Sequence, residues 1–196
     1  MPKNIGEMIM SIRTFFAIDI VGKNVVEQIK KIQNELALPN TRINFVAPEN
    51  LHLTMKFLGN IDESIIPELE KVTKKISFKN FEIELIGMGC LPSFSYINAI
   101  YVGITKGFEQ LKSISKELNG LSNQFNFKNE TRPFRAHLTI GRLKNVGDKN
   151  QLISIIKSYE KHKFGNVSIN NFKLKRSELT PDGPIYTTLF EVMGTN

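Results

Sequence analysis

The chain has 196 residues, 41% of them hydrophobic, which allows one domain with a sizeable core and excludes a disordered or fibrous protein. Its single cysteine and formal net charge of +7 exclude an internal disulfide and indicate a polyanionic partner. No apolar run approaches the ~20 residues that span a bilayer, and the first residues lack a signal-peptide pattern, so we expect a cytoplasmic protein without membrane contact.

The first half of the chain alternates predicted strands with predicted helices. The strand segments are rich in β-branched and aromatic residues or alternate with period two, and the helix segments carry apolar residues at spacings of three and four. The predicted strands cover 12–20, 43–46, 51–58 and 81–86, and the predicted helices cover 23–38 and 62–76. Ser64 is the expected N-cap of the second helix, and residues 91–95 are expected to form a loop.

The second half repeats the same kinds of segment. The predicted strands cover 99–104, 135–143, 167–179 and 185–192, and the predicted helices cover 108–121 and 150–159. The sequence Pro-Asp-Gly-Pro at 181–184 predicts a hairpin turn between the last two strands. This hairpin and the half-buried alternation favour mainly antiparallel pairing.

The tripeptide His-Leu-Thr occurs twice, at 52–54 and 137–139. Each copy is followed by an apolar residue and, three residues later, by a leucine. A single copy would be a weak motif, but recurrence in this register is improbable by chance. In a strand, the histidine and threonine of each copy point to one face and the leucine to the other.

The order strand, helix, motif strand, helix, strand therefore occurs about twice. We expect an α+β fold of two lobes related by an approximate two-fold axis. Two mainly antiparallel sheets flanked by helices would form it, and each lobe would give one His-x-Thr strand to a central cleft. Residues 11–196 would be this single bilobal domain, preceded by an extension over 1–10.

Two histidines and two threonines at one cleft indicate acid-base chemistry at phosphorus. A histidine side chain ordinarily titrates near neutrality, so one of His52 and His137 can act as a general base while the other acts as a general acid. The hydroxyl groups of Thr54 and Thr139 can hold the oxygens of a phosphate. Two histidines are too few ligands for a stable zinc site, and nothing marks a serine-type nucleophile, so no metal or other cofactor is expected.

Two arginines are candidate phosphate ligands. Arg142 would face away from the site by strict alternation, but Gly141 can host a bulge that turns the guanidinium inward. The alternative is a surface arginine in a salt bridge. Arg135 shares the face of His137 and is a candidate contact for phosphate or the RNA backbone.

Phe16 is a candidate surface for base stacking, together with Phe15 and Phe45, although aromatic strand residues lie in the core more often than not. Lys56 is expected to be exposed to solvent. His162 is interpreted as an exposed residue at a helix end without a functional role.

Five segments carry a resemblance to a known family, namely 13–19, 46–59, 132–142, 177–179 and 183–186. Together they resemble the 2H phosphoesterase superfamily, in its branch of RNA 2',3'-cyclic phosphodiesterases, also called LigT or 2'-5' RNA ligases. The resemblance extends from Ile12 to about Val192. Where the family commonly has an arginine and a tryptophan, this chain has Asn98 and Tyr101, a departure that concerns substrate contacts and not the four motif residues.

The resemblance implies a metal-independent hydrolysis of RNA 2',3'-cyclic phosphate ends to 2'-phosphomonoesters. His52 would be the proton donor to the leaving 3' oxygen and His137 the proton acceptor that activates water. Thr54 and Thr139 would hold the phosphate, joined by Arg142. The expected partner is RNA with cyclic phosphate ends, with tRNA fragments as one source, and the expected oligomeric state is a monomer.

Three alternatives remain open at this point. A 2'-5' RNA ligase that joins tRNA halves would use the reverse reaction. A hydrolase of small cyclic nucleotides would keep the chemistry and change the substrate. A non-catalytic RNA-end binding module would bind without turnover, although binding alone does not require two titratable histidines.

Overall fold

The computed structural model describes residues 11–181 and 183–196, so the proposed extension over 1–10 lies outside the described residues. The described part contains four α-helices and nine β-strands. The helices are α1 (Lys23–Glu35), α2 (Ile66–Thr73), α3 (Phe108–Phe125) and α4 (Lys149–Ser158). The strands are β1 (Ser11–Asp19), β2 (Arg42–Phe45), β3 (His52–Asp62), β4 (Phe81–Ser93), β5 (Tyr96–Ile104), β6 (His137–Asn145), β7 (Lys163–Ile169), β8 (Asn171–Thr180) and β9 (Gly183–Met193).

The strands pair in the order β7-β4-β5-β6-β3-β1-β8-β9, with β2 added beside β6. Every pairing between these strands is antiparallel, which confirms the predicted α+β class. The two halves of this order meet where β3 and β6 share a single residue pair, Leu53 with Leu138. The two predicted sheets are thus joined along one narrow seam.

The order of the strands reflects an internal two-fold relation. Along the chain, β1-α1-β3-α2-β4 corresponds to β5-α3-β6-α4 followed by β8. The last strand of each set pairs with the first strand of the other set, because β4 lies beside β5 and β8 lies beside β1. Each half of the sheet therefore contains strands from both parts of the sequence.

The core lies between the sheet and the helices. Leu53 and Met55 of β3, like Leu138 and Ile140 of β6, are buried on the helix side of the sheet. The buried stripe of α3, which includes Leu111, packs behind β3. Within the described residues, no helix combines the length and apolar character needed to cross a membrane.

Several predicted boundaries differ from the structure, and the predicted strand over 167–179 is divided at Asn170 between β7 and β8. The second helix is shorter than expected, since the 3-10 turn Glu63–Ile65 precedes α2. The expected N-cap Ser64 was wrong, because Asp62 caps this turn and its carboxylate accepts a hydrogen bond from the Ser64 amide at 2.9 Å. Helix α1 ends three residues before Leu38. The segment at 91–95 is a hairpin and not a loop, because β4 continues to Ser93, which pairs with Tyr96.

The seam between the two halves makes a prediction about stability. Replacing the buried Leu53 with alanine should lower the free energy of unfolding by about 2 to 5 kcal/mol, because it leaves a cavity where the halves meet. Urea denaturation measures this loss. Leu179→Ala is the matched control, since Leu179 is 71% exposed and its truncation should change stability by less than about 0.5 kcal/mol. Equal losses in both variants would contradict the role of the seam.

Candidate active site

The two motif strands bring four polar side chains to one face of the seam. The antiparallel pair Leu53 with Leu138 directs His52 toward Thr139 and Thr54 toward His137. All four side chains are half-buried, while the leucines between them are buried on the helix side. We call the face that carries these four residues the open face.

Both histidines are held by the same hydrogen bond. The Nδ1 atom of His52 lies 2.6 Å from the carbonyl oxygen of Asn50, and the Nδ1 atom of His137 lies 2.7 Å from that of Arg135. A carbonyl oxygen can only accept, so Nδ1 carries the proton and donates it in both rings. The Nε2 atom of each ring is then free to take up or release a proton.

Different aromatic rings surround the two histidines. Phe15 and Tyr186 pack against His52, with ring centroids at 5.0 and 5.2 Å. Tyr101 packs edge-on against His137 at 5.6 Å. The histidine of the first motif thus has two aromatic neighbours and that of the second has one.

Tyr101 is one of the two departures from the family pattern, and it fits here because Gly89 lies across from it. A Cβ atom at position 89 would come within 2.6 Å of the Tyr101 ring. The absence of that side chain lets the ring lie low on the sheet, beside His137.

A bulge turns Arg142 onto the open face, which is one of the two orientations that the sequence left open. His137, Thr139 and Arg142 pair with residues 103, 101 and 99 of β5, with a register shift between Ile100 and Tyr101. Residues 99, 101 and 103 share one face of β5 by period two, so their three partners share a face as well. The extra residue between Thr139 and Arg142 reverses the alternation that would have turned the arginine away.

The first motif strand contains the same bulge. His52, Thr54 and Phe57 pair with residues 19, 17 and 15 of β1, with a register shift between Phe16 and Ala17. Phe57 therefore occupies the position that Arg142 occupies in the second strand. The bulge also turns Lys56 inward, so the expectation that Lys56 is exposed was wrong.

Lys56 is buried behind the motif strand. Its ammonium group donates to the Asn119 side chain at 2.8 Å and to the Lys128 carbonyl at 3.3 Å, and burial lowers its pKa. These contacts tie β3 to the end of α3 and to the chain that follows it.

A charged cluster lies beside His52. Asp19, the cross-strand partner of His52, accepts hydrogen bonds from Lys175 at 2.6 Å and from Lys173 at 3.0 Å. Lys175 is only 5% exposed. Burial raises the pKa of Asp19, but the hydrogen bonds from Lys175 and Lys173 and their positive charges together lower it by more. The pKa of Asp19 therefore lies below its usual value.

These surroundings lower the pKa of His52. Burial is the largest cause, and the positive charges of Lys175 and Arg142 act in the same direction. The hydrogen bond to the Asn50 carbonyl and the charge of Asp19 oppose the change without cancelling it. His52 is therefore easier to deprotonate in the free protein than an ordinary imidazole.

Of two other predicted site residues, Phe16 lies in the core and the Arg135 side chain makes no hydrogen bond to the described residues. Phe16 is fully buried and packs against Phe172 and Phe190 on the helix side, so its assignment as a substrate-binding residue was wrong. Phe15, one residue earlier, has the opposite orientation and faces His52. The Arg135 side chain is exposed and makes no hydrogen bond to the described residues, while its carbonyl oxygen holds His137.

The third histidine, His162, contacts neighbouring side chains of the fold. His162 is half-buried and not exposed as expected, since its Nε2 atom lies 2.9 Å from the Gln28 side chain and its ring packs against Phe164. Across residues 11–181 and 183–196, no group of three or more His, Cys, Asp or Glu side chains has the arrangement of a metal site.

Sequence reasoning gave no role to Tyr186, Lys173 or Lys175. Tyr186 belongs to a segment that carries the family resemblance, and that was the signal for it. The lysines alternate with the buried Phe172 and Leu174 on β8, which shows that they share a face but not that this face adjoins His52.

The chain is similar to known proteins of one family. A family model described as LigT like Phosphoesterase matches residues 20–101 and 102–186. The chain is 37% identical over 179 residues to the RNA 2',3'-cyclic phosphodiesterase of Methanocaldococcus jannaschii, covering 91% of this chain and 99% of that protein. It is 32% identical over 182 residues to the protein of the same name from Methanothermobacter thermautotrophicus, covering 92% and 97%.

The fold is also similar to a crystal structure of E. coli LigT complexed with 3'-AMP. The TM-score is 0.78 at 22% identity, and the match covers 95% of this chain and 100% of that one. The chain belongs to the LigT-like phosphoesterase family.

The charge cluster predicts the titration of His52. In NMR spectra of the free protein, the imidazole of His52 should titrate below its ordinary pKa of about 6.5. Lys175→Met should raise this pKa, because it removes a nearby positive charge and leaves Asp19 less neutralised. Lys71→Met on the outer helix α2, where Lys71 is exposed, should leave it unchanged. A downward change in Lys175→Met would contradict the electrostatic model.

Proposed function

We propose that this protein hydrolyses 2',3'-cyclic phosphates at RNA ends to 2'-phosphomonoesters, with His52 as the proton donor and His137 as the proton acceptor. One observation carries the proposal: two histidines share one face of the seam, each with Nδ1 bound to a carbonyl oxygen and with no hydrogen bond at Nε2 from the described residues. The names of the curated relatives support the same substrate.

The reaction begins with the phosphate held between the two motifs. The hydroxyl groups of Thr54 and Thr139 donate hydrogen bonds to its non-bridging oxygens. The guanidinium group of Arg142 adds a charge-assisted contact on the same face. Together these groups stabilise the negative charge that builds up at phosphorus during attack.

The two histidines then move one proton each. The Nε2 atom of His137 takes a proton from water as the water oxygen attacks phosphorus. The bond between phosphorus and the 3' oxygen breaks opposite the attack, and the protonated Nε2 of His52 gives its proton to that oxygen. The products are a 2'-phosphomonoester and a free 3'-hydroxyl, and exchange with solvent restores both histidines.

The environment of His52 suits a donor that acts only on bound substrate. Its lowered pKa in the free protein makes the protonated imidazole a stronger acid. The anionic phosphate adds an opposite charge next to the ring, which favours the protonated form once the substrate is bound. Substrate binding thus supplies the protonation state that the reaction requires.

Charge favours RNA over small cyclic nucleotides as the substrate. The chain carries a net charge of +7. Burial raises the pKa of the half-buried Tyr186 near the site, and the positive charges of Arg142 and Arg13 oppose this rise. RNA ends, such as those of tRNA fragments, would bind through this charge, and KM should then rise steeply with salt.

Two further features of the site bear on the proposal. Both motifs come from one chain, so a monomer suffices for activity. A 5'-hydroxyl group in place of water would give the reverse, ligating reaction.

The acid-base pair is tested with an oligoribonucleotide that ends in a 2',3'-cyclic phosphate. His52→Ala and His137→Ala should each lower kcat by ~10² or more. The wild-type protein should form a 2'-phosphate product and keep its full activity in EDTA. His162→Ala is the matched control and should retain activity, because its ring packs away from the seam.

Three results would overturn the mechanism. Loss of wild-type activity in EDTA would require a metal. A near-full rate in either His52→Ala or His137→Ala would remove that histidine from the reaction. Tight binding of the RNA end without turnover would indicate a binding module instead of an enzyme.

Arg142 has its own prediction. Arg142→Gln should lower kcat/KM by about 10²-fold, because a preorganised positive charge on the phosphate is lost. Lys71→Gln removes the same charge from the outer surface and controls for net charge. If both variants lose activity equally, the effect is long-range electrostatics and Arg142 does not contact the phosphate.

A further inference from the structure

The chain that leads into each motif strand is held in a different way in the two halves. In the first half, β2 precedes the motif strand β3 and pairs through its backbone with β6, so that Phe45 lies opposite Gly141. Gln33 of α1 adds hydrogen bonds to the carbonyl oxygens of Val46 and Ile140, each at 2.9 Å. The second motif strand thus holds the chain that enters the first one.

The corresponding segment of the second half is held by side chains. Counted back from the two motif histidines, residues 127–130 take the place of β2, and residues 126–136, all within the described part of the chain, form neither helix nor strand. Lys56 takes the place of Gly141, since each lies four residues after its histidine. A glycine is needed beside β2, because a Cβ atom at position 141 would come within 2.7 Å of the Ile43 side chain. At the corresponding position in β3, the long side chain of Lys56 fills the space.

Lys56 supplies hydrogen bonds where the first half has strand pairing. Its ammonium group donates to the Lys128 carbonyl at 3.3 Å and to the Asn119 side chain at 2.8 Å. The same oxygen of Asn119 accepts a hydrogen bond from the Glu130 amide at 3.2 Å. Lys56 is only 6% exposed, so water competes little for these acceptors, and the positive charge strengthens both bonds that the ammonium group donates.

The segment held by Lys56 leads to the carbonyl oxygen that orients His137. That oxygen belongs to Arg135 and lies 2.7 Å from Nδ1 of His137. Phe134, one residue earlier, stacks on Phe108 of α3 at a centroid distance of 6.3 Å. Stacked rings tolerate sliding, whereas hydrogen bonds weaken steeply with angle. The contacts of Lys56 at the start of the segment therefore supply the directional part of its support.

We propose that Lys56, on the first motif strand, is a positioning residue for His137 on the second. It holds residues 128–135 so that the Arg135 carbonyl keeps the proton of the neutral His137 ring on Nδ1. This inference rests on the proposed function, in which Nε2 of His137 must be unprotonated to take a proton from water. Lys56 lies on the buried side of β3, so its effect passes through the backbone of the segment.

The tautomer of His137 separates a positioning role from a structural one. Side-chain nitrogen chemical shifts of both motif histidines are recorded by NMR at a pH where the rings are neutral. Wild type should carry the proton on Nδ1 in both rings. Lys56→Met should shift His137 toward a mixture with the Nε2 tautomer and leave His52 unchanged, because the Asn50 carbonyl holds His52.

Hydrolysis of an RNA with a 2',3'-cyclic phosphate end gives the second readout. Lys56→Met should lower kcat by about 10-fold to 100-fold, because a ring with its proton on Nε2 cannot take one from water and a displaced ring attacks poorly. KM should stay close to the wild-type value, since the open face keeps its threonines and Arg142.

Variants of Asn119 test the same contact from α3. Asn119→Ala removes the oxygen shared by Lys56 and the Glu130 amide and should reproduce both effects of Lys56→Met. Asn119→Asp keeps an acceptor for both donors and should retain the wild-type tautomer and kcat. Leu152→Ala is the stability control, because Leu152 is fully buried on α4 and its truncation lowers the free energy of unfolding without touching residues 128–135.

Two results would overturn the proposal. Lys56→Met with the wild-type tautomer of His137 and the wild-type kcat would show that the segment is held without it. A fall in kcat with an unchanged tautomer, matched by Leu152→Ala, would make Lys56 a structural residue only. If Lys56→Met fails to fold, the comparison of Asn119→Ala with Asn119→Asp decides. If wild type fails to hydrolyse the RNA, the proposed function fails, while the tautomers still show whether Lys56 orients His137.

Discussion

The contact between Leu53 and Leu138 is the constraint on which the rest of the site depends. These two buried residues form the one register pair between β3 and β6 in the described structure. A strand has a side-chain period of two, so a slip of one residue at this pair would turn a histidine and a threonine into the core. Hydrophobic burial on the helix side therefore fixes the polar arrangement on the open face.

The same backbone geometry surrounds two histidines in unequal environments. Both rings are oriented by the carbonyl oxygen two residues earlier, so their tautomers match. His52 alone has the aromatic pair Phe15 and Tyr186 and the nearby buried Lys175. Groups of one chemical type can take opposite roles when their surroundings differ, and this asymmetry arises from β1, β8 and β9 and not from the motifs.

Sequence reasoning predicted the shared face of the motif residues but not all of their neighbours. The doubled motif predicted that each histidine lies on one face with its threonine, and Gly141 pointed to a bulge that the structure has between Thr139 and Arg142. Phe16 was chosen as a substrate contact, and the structure places it in the core, because an aromatic run does not reveal which ring faces which side. Lys56 was expected in solvent, but the bulge in β3 turns it inward, and no glycine marks that bulge in the sequence.

The fold class, the repeated order of elements and the face shared by each histidine with its threonine follow from the amino-acid sequence, since all of these depend on local periodicity. The three-dimensional fold was needed to show which rings enclose His52, where Lys175 lies and that Lys56 is buried. Those facts depend on pairing between strands far apart in the chain and on bulges that reverse the local alternation. Register and bulges depend on the neighbouring strands, so the sequence of a single strand does not determine them.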